Sequence, residues 1–424
     1  MIKIITDAAE ARALRNRDIE SYGNYADTVR AILSDVAARG DEALLESGRR
    51  FDCPTLESLT VTEEEIDEAI ASLPPEVLET IKTCADNIVA YHRRQVREGF
   101  TERKENGCVI GQRILPLERV GVYVPGGTAS YPSTVLMNVI PAAIAGVPEI
   151  FVTTPAGRDG KVAAPILAAA RIAGATRVFK CGGASAIAAL AYGTETIPAV
   201  EKITGPGNIY VALAKREVFG RVGIDMIAGP SEILVIADET ADAEYVAADL
   251  LSQAEHDRLA ASILICTSLA FAEEVAAAVE RQIALLPRAD IARESIETNG
   301  RIAVVSSLAE AAELSNDIAP EHLELAVADP FALLPLIKSA GSVFLGSFTP
   351  ESLGDYYAGP NHTLPTSGSA RFASPLSVDD FIKKSSFIYY TQDAISSASV
   401  DIARFARLEG LEAHARAAEI RRKK

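Results

Sequence analysis

Residues 224–257, IDMIAGPSEILVIADETADAEYVAADLLSQAEHD, decide the fold. A Gly-Pro turn at Ala228–Pro230 leads into an apolar strand, Glu232 to Ala237. A helix follows, with apolar positions at Tyr245, Val246, Leu250 and Leu251. A strand and then a helix within about thirty residues is the half-unit of a parallel α/β sheet. The helix closes on Gln253-Ala254-Glu255-His256. Residues three apart share a helix face, so Gln253 and His256 present an amide oxygen and an imidazole nitrogen side by side. A borderline metal such as zinc accepts such donors. Taken alone, the same spacing also describes a solvated helix end, which is the commoner occurrence.

The strand–helix rhythm extends in both directions. Short β-branched runs at 120–124, 149–154, 177–181, 202–204, 232–237 and 262–267 alternate with Ala-rich helical stretches at 134–145, 162–174, 184–192 and 207–219. Repeated βα units predict a mainly parallel sheet. A second series covers about 262–348, with RIAVV at 301–305, LELAV at 323–327 and SVFLG at 342–346, which points to two related sheet domains. The first hundred residues read as helical, with a capping box at Thr62 and Glu65. Beyond Pro375 the spacing predicts helices over 376–390 and 396–420.

Three strand ends run into glycine-rich turns: Pro125-Gly126-Gly127, Gly182-Gly183 and Gly205-Pro206-Gly207-Asn208. Such turns let backbone amides approach phosphates at a helix N-terminus. None is the GxGxxG fingerprint. Singly each turn is equally well explained by packing; three in succession suggest a nucleotide site.

The 424-residue chain carries a formal charge of −17, which argues against nucleic acid, because phosphate binding needs clustered cations. No run of roughly eighteen apolar residues offers a membrane span, and the opening MIKIITDAAEAR is too short in apolar residues for a secretion signal. Five scattered cysteines without a CxxC fit neither a disulfide framework nor a zinc ribbon. A reducing, cytoplasmic setting follows.

Only five histidines exist. His92 ends a long helix among Arg93, Arg94 and Arg97 and reads as a surface residue. Glu321 and His322 precede an apolar strand; adjacent side chains on extended backbone point opposite ways, so they can serve two different atoms, with His as a base near neutral pH. The turn-rich stretch from Glu351 to His362 reads as a loop with an exposed carboxylate, Asp355, and an exposed imidazole. Glu409 and His414 lie in the tail.

The run from Ile224 through His256, with VPGG at 124–127, GPGN at 205–208, APEHLE at 319–324, GDYYAGPNHTLPT at 354–366, ARFASPLSVDDFIKKSS at 370–386 and EGLEAH at 409–414, closely resembles the histidinol dehydrogenases over nearly the whole chain. The resemblance implies an α/β subunit of two Rossmann-like parallel-sheet domains, with a helical N-terminal region and a helical C-terminal tail. The expected segments are an arm at 1–22, a discontinuous first domain at 23–115 and 233–375, an NAD-binding domain at 116–232, and a dimerising tail at 376–424.

It also implies oxidation of L-histidinol through L-histidinal to L-histidine, the final step of histidine biosynthesis, with two NAD and one zinc per subunit of a homodimer. Gln253, His256, Asp355 and His414 match the zinc ligands, and Glu321 and His322 the catalytic pair. Ser231, Gln253, His256, His322, Asp355, Glu409 and His414 match substrate-contacting positions. The family places the two tail residues in the partner's site. Tyr123 and Asn208 match NAD-binding positions, as does Ser185, where the family often has Gln; the shorter side chain makes a water-mediated contact and weaker NAD binding the expectation. Open alternatives are a same-scaffold NAD dehydrogenase acting on another polyol such as a sulfopropanediol, a thiol-dependent aldehyde dehydrogenase using Cys181, and a catalytically silent binding protein.

Overall fold

A computed structural model describes residues 1–15, 23–126, 130–227 and 229–422. Gly127, Ala228 and part of the 1–22 arm therefore lie outside the described residues. The chain divides into two units, Met1–Gln95 with Glu118–Phe381, and Val96–Leu117 with Ile382–Lys424.

The larger unit contains two parallel sheets, as the βα rhythm predicts. One has six strands in the order Lys3–Ile5, Arg301–Val304, Ala261–Cys266, Glu232–Ala237, His322–Ala326 and Ser342–Leu345. The other has five, in the order Arg177–Lys180, Glu149–Thr154, Arg119–Tyr123, Lys202–Thr204 and Gly223–Ile224. Central strands are covered on both faces, so they read as continuous apolar runs; every residue of Glu232–Ala237 is buried. Helices Gly23–Arg39 and Asp41–Phe51 bury Val29, Leu33, Val36 and Leu44 in the same core as Phe151, Phe179 and Ile187 of the five-stranded half. The predicted capping box forms: Thr62 N donates to Glu65 Oε2 at 2.9 Å, and Glu65 N to Thr62 Oγ1 at 3.2 Å.

The smaller unit is an antiparallel sheet of Phe100–Arg103, Val109–Pro116 and Ile382–Tyr389, followed by helices Gln392–Leu408 and Glu412–Glu419. The helix expected over 376–390 is thus largely a strand. Its eight residues take their hydrogen-bond partners from Val109–Pro116, and pairing at such sequence separation overrides the local helical pattern. The opening Lys3–Ile5 is likewise an edge strand beside Arg301–Val304.

Candidate active site

Glu321 and His322 lie at the amino edge of the six-stranded sheet. Helix Leu308–Ile318 ends on Ala319, whose left-handed backbone (φ 51°) reverses the chain. Strand His322–Ala326 then begins with His322 opposite Ile233 and Ser342. The two side chains do not diverge as alternation predicts, because Glu321 precedes the strand and both grip one residue. Glu321 Oε2 accepts from Glu232 N at 2.9 Å, and His322 Nδ1 donates to the Glu232 carbonyl at 3.0 Å. Whenever the ring is neutral, that donation puts the lone pair on Nε2. Nε2 has no hydrogen-bond partner and stands 3.7 Å from Asp355 Oδ1.

Charge is crowded here. Burial pushes the Glu321 carboxyl up to about 8. Burial also disfavours the His322 imidazolium, but Glu351, Glu321 and Asp355 outweigh it and raise the ring well above its ordinary range. Glu351 Oε1 is 3.6 Å from His322 Nδ1, and burial pushes its carboxyl up to about 7. Burial works against an ionised Asp355 as well, yet the imidazoles of His322, His362 and His256 hold its carboxyl below the usual range.

Gln253 and His256 reach the same edge from another direction. Asp242 caps helix Ala243–Ala254 through Glu244 N, and the helix carries Gln253 inward until it is fully buried. Neither amide atom of Gln253 has a hydrogen-bond partner. His256 lies one turn beyond, its N–H donating to Gln253 O at 3.1 Å, and is exposed at the rim. Desolvation by the surrounding chain lowers its pKa against the pull of Asp355, which favours the neutral, ligating ring.

One ligand atom each of His256, Glu351 and Asp355 lies within 4.8 Å of the others. Glu351 was not among the expected site residues, because 351–362 reads as a loop. Its first part is instead the helix Glu351–Tyr356, which sets Glu351 and Asp355 one turn apart on one face; the i, i+4 acid pair was the available signal. Nor are Asp355 and His362 exposed: their side chains retain 15% and 14% accessibility, and His362 Nδ1 donates to the Asp355 carbonyl at 3.1 Å. His92 corrects the reading further, being completely buried.

Tyr123, Ser185 and Asn208 sit at the other sheet, at its carboxyl edge. Tyr123 ends strand Arg119–Tyr123, and its hydroxyl accepts from Gly183 N at 3.2 Å at the start of helix Gly183–Tyr192. A Cβ on Gly205 (φ +114°) would lie 2.1 Å from Tyr123 O, so only glycine permits this approach. Asn208 Oδ1 caps helix Ile209–Val218 through Tyr210 N and Val211 N. Ser185 Oγ faces inward, 3.2 Å from Ser47 Oγ. Ser231 is half-buried immediately before Glu232. Glu409 and His414 belong to the smaller unit and are exposed there.

The sequence profile of the histidinol dehydrogenases matches residues 15–422. The chain belongs to the histidinol dehydrogenase family. It is 58% identical over 393 residues to the histidinol dehydrogenase of Geobacillus kaustophilus, covering 93% of each chain. Against the Bacillus subtilis histidinol dehydrogenase it is 53% identical over 424 residues, which is 100% of this chain and 99% of that one. The crystal structure of the Elizabethkingia anophelis histidinol dehydrogenase matches with a TM-score of 0.94 at 39% identity, covering 99% of this chain and 98% of that one. Membership makes the chain an oxidoreductase acting on a small molecule. A thiol mechanism finds no support in this member of the histidinol dehydrogenases: Cys181 is 3% exposed, and burial, with Asp52 and Asp41 nearby, drives its thiol pKa far upward, away from the nucleophilic thiolate.

Proposed function

We propose that this chain oxidises L-histidinol through the aldehyde to L-histidine, using zinc and two NAD. The observation that carries the reading is the Gln253 amide, fully buried without a partner one helical turn from His256, which lies close to Asp355 and Glu351. A buried amide is costly to leave unpaired, and an oxygen, an imidazole and a carboxylate form a mixed donor set suited to zinc. We assign Gln253, His256 and Asp355 as ligands, with the partner subunit's His414 completing the set. Glu351 is close enough to neutralise further charge.

Support for NAD comes from the helix N-termini at the five-stranded sheet. Helices Pro132–Ala145, Ala164–Ala173 and Gly183–Tyr192 begin without a side-chain cap, which leaves amide donors for phosphate. Tyr123, Ser185 and Asn208 surround this edge, within the proposed domain 116–232. Bound zinc supplies positive charge that orients the amino alcohol and offsets the carboxylates around His322, and bound NAD accepts the hydride.

His322 Nε2, aimed by the Glu232 carbonyl, takes the alcohol proton. Glu321, held by Glu232 N, takes a proton from the water that attacks the aldehyde. Ser231, Glu409 and His414 complete substrate recognition, the last two from a second copy. Exposed Ile402, Phe405 and Leu408 on helix Gln392–Leu408 favour such a homodimer, since they offer an apolar face. Among the described residues no helix is long and apolar enough to cross a membrane, and the five cysteines are free thiols, which fits the cytoplasm.

The test is stoichiometric. Histidinol should yield two NADH per histidine, a zinc chelator should abolish turnover and added zinc restore it, and simple diols should be poor substrates. Chelator-insensitive turnover, or one NADH per product, would defeat the reading.

A further inference from the structure

His92 has no place in the chemistry above, yet it is the end of a hydrogen-bonded chain that reaches it. The residue closes helix Pro75–His92. Its Nδ1 is 2.7 Å from Gln95 Oε1, an oxygen that also accepts from Val378 N at 3.2 Å. That oxygen can only accept, so Nδ1 donates and Nε2 carries the lone pair. Nε2 faces Asn361 Nδ2 at 3.4 Å. The orientation of Asn361 is itself fixed, since Nδ2 donates to Met137 O at 2.6 Å and Oδ1 accepts from Thr363 N at 2.8 Å. Two amides of known orientation therefore define one tautomer, and burial keeps the ring neutral by lowering its pKa.

Asn361 is followed by His362, whose ring holds the Asp355 carbonyl. The loop between them is tied to the same helix: Asn87 Nδ2 donates to Tyr357 O at 2.9 Å, and Gly359 (φ +104°) lies so close that a Cβ would stand 2.6 Å from Asn87 O. Toward strand Ser342–Leu345 the loop borders a cavity of about 120 Å³, lined by Phe344, Leu353, Asp355, Pro360, Asn361 and His362 among others. Packing leaves that side partly unfilled, and protein interiors hold position chiefly by close packing. Polar ties to the Pro75–His92 helix must then supply what packing does not.

We propose that His92 is a positioning residue which, through Asn361, holds the 357–363 loop and, through the grip of His362 on the Asp355 carbonyl, sets Asp355 for metal and substrate. The inference rests on the zinc assignment made above. Partners that orient ligands from behind are worth about 10–100-fold in metal affinity.

The experiment measures zinc dissociation constants of the full-length holoenzyme against a chromophoric chelator, together with KM and kcat for histidinol. The variants are His92→Phe, which fills the space without the bonds, His92→Gln, which retains a donor and an acceptor, and Asn361→Ala. His92→Phe and Asn361→Ala should each weaken zinc about 10–100-fold and raise KM more than they lower kcat. His92→Gln should recover most of the affinity, and the double variant His92→Phe/Asn361→Ala should be no worse than either single one.

A lower melting temperature with zinc affinity and KM at wild-type values would overturn the proposal, leaving His92 a mere core residue. If His92→Phe does not fold, Asn361→Ala and His92→Gln decide by the same criteria. Gln253→Ala and His256→Ala serve as controls. If they bind zinc as wild type does, the metal assignment fails; if they lose zinc while the His92 and Asn361 variants keep it, the positioning proposal alone fails.

Discussion

The two parallel sheets share a βα rhythm, but the residues we assign to cofactor and to catalysis stand at opposite edges of them. In the five-stranded sheet Tyr123, Gly183 and Asn208 stand at the carboxyl ends of strands, where open α/β sheets ordinarily bind ligands. In the six-stranded sheet Glu321, His322 and Ser231 stand at the amino ends. Capping chemistry accounts for part of the difference. The carboxyl-edge helices of the six-stranded sheet start on Asp242, Ser268 and Ser307, whose side chains accept from Glu244 N, Phe271 N and Glu310 N. Those amides are already engaged. On the five-stranded sheet, by contrast, helices Pro132–Ala145, Ala164–Ala173 and Gly183–Tyr192 start without side-chain caps, and only Asn208, among these helix starts, caps its helix, Ile209–Val218. One sheet thus leaves more helix-start amides without side-chain partners at its carboxyl edge, while the other gathers buried acids and imidazoles at its amino edge.

That contrast can be broken at either edge. The largest effect belongs to His322→Ala, which should slow alcohol oxidation about 10²–10⁴-fold while bound zinc, measured by metal analysis, stays stoichiometric; undiminished NADH production would remove His322 from the chemistry. Glu321 gives a pH signature. Its carboxyl, pushed up to about 8, is protonated below that value and ionised above it. The histidinal-to-histidine step should therefore fall by roughly tenfold per pH unit below about 8 and level off above it, in single-turnover kinetics. A flat profile from pH 6 to 9 would count against Glu321 as the base.

At the other edge, Gly205→Ala forces a Cβ toward Tyr123 O and should cost about 1–3 kcal/mol of backbone strain. The expected readouts are a lower melting temperature and weaker NADH binding by fluorescence titration, with zinc content unchanged. Loss of zinc but not of NADH affinity would mean the edges are not divided as described. Ser185→Gln should tighten NADH about threefold to tenfold, the worth of one hydrogen bond, provided the Ser47 contact is not what holds the cofactor edge together; weaker binding would show that it is. Least of all, Cys181→Ala should leave turnover at the wild-type rate, and any large loss would reopen a thiol mechanism.

Much of this was legible in the residues. Nine runs read as strands coincide with observed strands to within a residue or so, from Arg119–Tyr123 to Ser342–Leu345, because strands buried on both faces must be apolar throughout. Family motifs named Glu321, His322, Gln253, His256 and Asp355; the larger unit brings Glu321, His322, His256 and Asp355 together and buries Gln253 near the end of the helix Ala243–Ala254. His92, Glu351 and strand Ile382–Tyr389 were not legible. Each depends on a partner far along the chain: Asn361 for His92, Glu324 for the Glu351 amide, and Val109–Pro116 for the strand.

The sequence alone determined the period of the elements, the βα order and the kinds of group available for chemistry, since these follow from local backbone preference and side-chain identity. Tertiary structure alone decided which side chains meet at each sheet edge, which ring nitrogen of His322 and His92 donates to the chain, and which buried carboxyls keep a proton near neutral pH. Those properties are set by desolvation and by the distance to a particular neighbour, and neither quantity exists until the chain has closed on itself.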